Sequence, residues 1–198
     1  MEGSSLRRMS LFSRIWKPSV PFNPARFPVF YGWVIVAAST IGILASMPGQ
    51  TIGVSVYTDT YIEILGLERI QLTTAYLIGT GLSGFLIPWA GSLFDRLGAR
   101  RFILLAAFLF AFALIYLSQM DRFVSLFGMT GSASFGMATA SLGFLGIRFF
   151  GQGMLTLGSR SMLSKWWNLR RGRMVAISGG FIAFGFSLSP RLLDWEIQ

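Results

Sequence analysis

Runs of apolar residues, each roughly twenty long, recur along this chain with short charged segments between them, and helix of that length crosses about 30 Å of hydrocarbon. One boundary shows the pattern most sharply. In "GSLFDRLGARR" (Gly91 to Arg101), one acid and three bases separate the upstream "AYLIGTGLSGFLIPWA" from the downstream "FILLAAFLFAFALIYL". The whole composition points the same way: 53% hydrophobic and 13% charged residues, with a mean hydropathy of +0.60, lie outside the range of an ordinary soluble domain. The sequence predicts an all-α, polytopic membrane helix bundle in which lipid is the solvent.

Chemistry is narrowed by what the chain lacks. It has no cysteine and no histidine, which removes disulfides, thiolate sites, the usual nucleophile and base pairs, and nearly all transition-metal ligation. The eight acids are scattered without paired spacing. The expectation is a non-enzyme without metal or cofactor.

Five spans are expected, at about 30–57, 72–94, 102–118, 142–163 and 174–193. Phe30, Tyr31 and Trp33 at the start of the first fit an interfacial aromatic belt. The Gly, Ser and Thr-rich stretch 121–140 is apolar enough to suggest a further crossing, and charge decides against it. Basic residues cluster before span one (Arg7, Arg8, Arg14, Lys17, Arg26), between spans two and three (Arg96, Arg100, Arg101), and between spans four and five (Lys165, Arg170, Arg171, Arg173). These places share one side only if 121–140 does not cross. The opposite loops carry Asp59, Glu63, Glu68 and Asp121 against Arg69 and Arg122. The basic side is expected to face the cytoplasm, with the chain in the plasma (inner) membrane and the N-terminus inside. The net charge of +9 then serves topology, and no nucleic-acid partner is expected. Residues 1–28 read as a basic cytoplasmic tail, either disordered or lying amphipathically on anionic lipid through Leu6, Met9, Phe12 and Trp16.

Within "GSLFDRLGARR", Gly98 suits a tight turn and Gly91 a close helix approach. Arginines serve as topological anchors, but Asp95 has no such use and sits at the unfavourable end of its helix dipole. Gly91, Asp95, Arg96, Gly98, Arg100 and Arg101 resemble the G-x-x-x-D-R-x-G-x-R-R loop between helices two and three of the major facilitator superfamily of secondary transporters. "YGWVIVAAS", "YTDTYIEILGLERIQLTTAYLIGTGLSG" and "KWWNLRRGRMVAISGGF" are similar to that superfamily, and more narrowly to its monocarboxylate and oxalate–formate branch. The resemblance implies a twelve-helix fold whose first five helices this chain matches, gradient-driven transport of a small organic anion, and a cytoplasmic charge lock built on Asp95 and the arginines. Plain anchoring remains the alternative for the arginines.

Candidate substrate residues follow from the cost of polar groups in a span. Arg148 lies inside span four, and Arg148, Gln152, Leu155 and Ser159 follow helical spacing, so three of the four form a polar stripe. Facing a cavity, the guanidinium suits a carboxylate; the alternative is snorkelling to the outer interface. Where superfamily members commonly read R-x-x-Q-G, this chain reads R-F-F-G-Q-G, one residue longer. Arg160 and Lys165 read as interface anchors. Span one offers a small-residue stripe (Ser39, Gly42, Ser46, Gly49, Gly53), read as packing or as a bendable cavity helix with a kink at Pro48 and with Gln50 and Tyr57 toward substrate. Tyr76 and Thr80 are lining candidates in span two, with Pro88 as a breaker, and the span-five glycines read as packing positions.

The chain stops soon after span five, at residues 194–198, short of a twelve-helix carrier. Three readings compete: a truncated carrier, a short chain that pairs with a separate second half or with copies of itself, and a channel-like or structural bundle.

Overall fold

The computed structural model describes residues 30–126 and 132–197, with side chains as far as residue 188. The expected tail over 1–28 therefore lies outside the described residues. Every regular element among the described residues is helical: α1 (Tyr31–Ala45), a 3-10 turn (Met47–Gly49), α2 (Thr51–Val56), α3 (Thr58–Leu65), α4 (Arg69–Ser118), α5 (Met120–Leu126), α6 (Ala133–Gly146), a π-helical segment (Ile147–Leu155), α7 (Thr156–Trp166) and α8 (Arg171–Ile197).

The first expected span is not one helix. Pro48 cannot donate to a helical ladder, and the chain answers with the 3-10 turn and an extended Gln50 (φ −85°, ψ 161°) before α2 begins. Helix α4 begins where the Glu68 backbone N–H donates to Gln71 Oε1 at 3.0 Å, one half of a capping box. It continues through Pro88, so the expected break there does not occur; a proline inside a long helix removes one hydrogen bond without ending the rod. The break falls at Gly98, with φ 74° and ψ 162°, a conformation open in practice only to glycine. Each arm of α4 is long enough, at about 1.5 Å per residue, to traverse roughly 30 Å. Across the bend, Phe94 and Phe102 meet edge to face at 5.3 Å.

Stretch 121–140 divides in two. α5 ends at Leu126, and α6 starts at Ala133, so the fourth rod begins nearer the N-terminus than expected and runs unbroken from Ala133 to Trp166.

Close contacts fix the direction of each rod. Along the first arm of α4, Gly79 lies against 141–145 and Asp95 against Lys165, so this arm runs parallel to Ala133–Trp166. Along the second arm, Phe102 meets Gly158, Phe110 meets Gly151 and Leu117 meets Gly143, an antiparallel order. α1 is antiparallel to the same rod, with Gly32 at Trp167, Gly42 at Ser159 and Gly49 at Ile147. α8 runs with α1, Thr40 meeting Ser178 at 2.8 Å and Leu44 meeting Gly185. Successive rods therefore alternate. One end collects Arg96, Arg100, Arg101, Lys165, Arg170, Arg171 and Arg173, and the other collects Asp59, Glu63, Glu68 and Asp121.

Two helices, Arg69–Ser118 and Ala133–Trp166, are long and apolar enough to cross a membrane. Only 28% and 33% of their most apolar stretches are buried, unlike the covered core helix of a soluble fold. Phe85, Trp89, Phe108 and Phe112 instead stand outward. At the basic end, Trp167 donates its indole N–H to the Gly32 carbonyl at 3.3 Å and stacks edge-on with Phe30, while Tyr31 meets Trp166. The small residues of α1 pack against neighbouring rods, as the packing reading of that stripe expects. In α8 only part of that expectation holds: Gly185 is crowded by Leu44, but nothing lies near Gly179 or Gly180.

Candidate functional site

Between Gln50 at the break before α2, the first arm of α4 and the rod Ala133–Trp166 lies a polar cavity of about 360 Å³. Gln50 reaches it from the break after Pro48; Thr80, Ser83 and Gly84 come from α4, and Arg148, Gln152, Thr156 and Arg160 from the fourth rod. Among the described residues, two guanidinium groups line this space and no carboxylate does. Such a wall attracts an anion and can hold a carboxylate or phosphate by paired N–H donation. Thr80 Oγ1 and Gln152 Oε1 are buried with no hydrogen-bond partner among the described residues.

The π segment explains which residues face inward. Its i to i+5 pairing takes up one more residue per turn than α-helix and shifts the phase of all that follows. Arg148, Gln152, Thr156 and Arg160, spaced by four, share the cavity wall. Ser159 does not. It is buried against Gly42 of α1, and its Oγ has no partner among the described residues, which corrects its expected place in the stripe. Arg160, expected as an interface anchor, is exposed and also lines the cavity. The π segment takes in Arg148 to Gly153, and Gln152 lies on the same cavity wall as Arg148.

Arg148 does not snorkel away from the bundle. Its Nη1 donates to Gly49 O at 3.5 Å and to Thr51 Oγ1 at 3.4 Å, and its guanidinium carbon lies 5.4 Å from the centre of the Tyr76 ring. The Thr51 and Tyr76 hydroxyls are 3.1 Å apart. Gln50 donates from Nε2 to Ser46 Oγ at 3.1 Å, which steadies it at the break. Toward the acidic end a second, smaller cavity of about 140 Å³ is lined by Thr51, Val54, Ser55, Leu72, Tyr76 and Phe144 among others. Tyr76 thus belongs to this outer space, while Thr80, one turn on, belongs to the central one. Tyr57 lines neither; its ring lies 6.5 Å from that of Tyr61.

At the basic end, Asp95 pairs with Lys165, Nζ to Oδ1 at 3.0 Å, and the same ammonium lies 4.7 Å from the centre of the Phe94 ring. The cation that faces Asp95 is thus Lys165, outside the arginines of its own loop. Gly98 makes the turn as expected, but among the described residues an added Cβ at Gly91 would meet nothing within 4 Å. Arg96 and Arg100 are exposed beside the turn, with Arg101 opening the second arm. Among the described residues no cluster of acids could hold a metal ion.

No family model, curated protein or solved structure matches the chain.

Proposed function

We propose that this chain is a multi-pass membrane protein of the inner membrane and forms part of a secondary transporter of the major facilitator type, carrying a small organic anion such as a monocarboxylate. The observation that carries this reading is the pair Arg148 and Arg160 on the wall of one polar cavity that no acid lines among the described residues. In a bundle whose outer surface is hydrocarbon-compatible, inward-facing cations mark a solute path. The unpartnered Thr80 Oγ1 and Gln152 Oε1 add groups that a bound polar solute satisfies.

Five alternating rods with one basic end support five crossings and a cytoplasmic N-terminus. The loop resemblance carried by Gly91, Asp95, Arg96, Gly98, Arg100 and Arg101 supports the superfamily, and the Asp95 to Lys165 pair is the contact a cytoplasmic lock opens and closes. No phosphate-binding glycine loop occurs in the sequence, so the drive assigned here is an ion or substrate gradient.

Uptake of radiolabelled acetate or lactate into vesicles bearing the chain tests the reading. Saturable uptake lost in Arg148→Ala supports it; uptake that rises linearly with concentration favours a channel-like bundle.

A further inference from the structure

The outer cavity differs in chemistry from the central one. Its floor is apolar: Val54 from α2, Leu72 and Tyr76 from α4, and Phe144 from α6, with Leu72 and Phe144 buried. Tyr61 and Tyr76 both meet Phe144 edge to face, at 5.8 and 5.4 Å, which fixes that ring before anything binds. Thr51, Ser55 and Thr73 stand at the rim with their hydroxyls, and all three are exposed, so the cavity is open to solvent. Arg148, on the wall of the central cavity, touches two residues of the outer one. It reaches Thr51 at 3.4 Å and lies 5.4 Å from the centre of the Tyr76 ring. We propose that the outer cavity is a subsite for the ring of an aromatic monocarboxylate whose carboxylate is held by Arg148. The charged end rests on the anion reading given above; the ring end rests on the outer cavity alone.

The charged end has donors to offer. The hydrogen bonds from Arg148 are long, at 3.4 and 3.5 Å, and both acceptors are uncharged, so a carboxylate makes shorter, charge-assisted bonds to the same guanidinium. The Thr51 and Tyr76 hydroxyls, 3.1 Å apart, share one hydrogen between them, and the other can be donated to the same carboxylate. From that point the ligand body can extend in two directions. The central cavity presents Gln50, Thr80, Ser83, Gln152 and Thr156, which a ring would leave without polar partners. The outer cavity presents the apolar floor. Its volume of about 140 Å³ is close to the roughly 150 Å³ of an apolar cavity that takes benzene. One six-membered ring therefore fits, and a fused pair does not. Because the rim is open, one face of the ring is covered and the other stays wet. Burial of one face should tighten binding about tenfold over the same carboxylate without a ring.

Equilibrium binding of radiolabelled benzoate to the purified chain, with acetate, benzyl alcohol or 2-naphthoate as competitor, tests the assignment. Benzoate should bind about tenfold more tightly than acetate, and both the uncharged benzyl alcohol and the larger 2-naphthoate should bind more weakly than benzoate. Arg148→Gln should weaken benzoate and acetate alike by tenfold or more. Thr73→Phe, at an exposed rim position, puts a ring into the outer cavity and should remove the advantage of benzoate over acetate. The ligand series in the unaltered chain decides even where that variant fails to fold. Benzoate no tighter than acetate, or 2-naphthoate tighter than benzoate, overturns the subsite; if acetate binding is still lost in Arg148→Gln, the anion reading stands without it. Benzoate binding that is undiminished in Arg148→Gln, or a preference for benzoate that survives in folded Thr73→Phe, also overturns the assignment. Binding of neither acid overturns the anion reading and the subsite together.

Discussion

Lys165 Nζ lies 3.0 Å from Asp95 Oδ1, joining the bend of α4 to the last turn of α7 across seventy residues of sequence. Both side chains are largely exposed, 65% and 71%, so the pair adds little to folding: a double-mutant cycle should return about 0.2–1 kcal/mol. A lock acts on the path between states, not on the depth of one. Asp95→Asn and Lys165→Gln should therefore impair turnover more than membrane insertion, and exchanging the two residues should recover part of the turnover. Parallel measurement of inserted protein and uptake decides; equal losses in both would assign Asp95 to folding.

The packing of α4 on the fourth rod turns on Gly79. A Cβ there would sit 2.8 Å from both the Leu145 nitrogen and the Ser141 oxygen, backbone atoms that cannot swing aside. Gly79→Ala should cost about 1–3 kcal/mol by overpacking. Gly81→Ala, two residues away with nothing within 4 Å, should leave the melting temperature in detergent unchanged or slightly raised.

Gly98 bends α4 with φ 74° and ψ 162° and has open space where a Cβ would stand. The penalty of Gly98→Ala is therefore backbone strain alone, about 1–3 kcal/mol. It should lower thermal stability without altering the affinity of the cavity for anions.

Tyr61, in α3 at the acidic end and outside the long apolar helices, has its hydroxyl pushed up to about 12 by burial and, secondarily, by neighbouring Tyr57. Its pKa is higher folded than unfolded, so the stability it contributes is complete below about pH 10 and falls as pH rises from there toward 12. Melts at about pH 8 and about pH 11 should show a smaller drop for Tyr61→Phe than for the parent chain.

The rods and their alternation were legible because apolar run length and the placement of arginines report directly on helix length and on which ends sit together. Asp95, Gly98, Arg148 and Gln152 were legible for a related reason: each is out of character with its immediate surroundings. The stripe position of Ser159 fails because a uniform helical period does not hold across residues 147–155, and nothing in "IRFFGQGML" announces a π turn; Arg160, read from its place at the end of the span, also lines the cavity. Lys165 was misread because its partner is distant in sequence, and the pairing exists only once the bend at Gly98 brings Asp95 alongside α7. A close approach at Gly91 rests on residue type alone, and among the described residues nothing lies within 4 Å of a Cβ there.

The proposed function makes Arg148 and Arg160 the anion-binding groups of the cavity. Concentration-dependent uptake of a radiolabelled monocarboxylate into vesicles carrying the chain, compared with Arg148→Ala and Arg160→Ala, tests it most directly. Saturable uptake is expected, falling by about two orders of magnitude in Arg148→Ala, the cost of losing a charge-assisted pair, and by a smaller factor at the more exposed Arg160. Uptake that is absent, that fails to saturate, or that persists undiminished in both variants would contradict it.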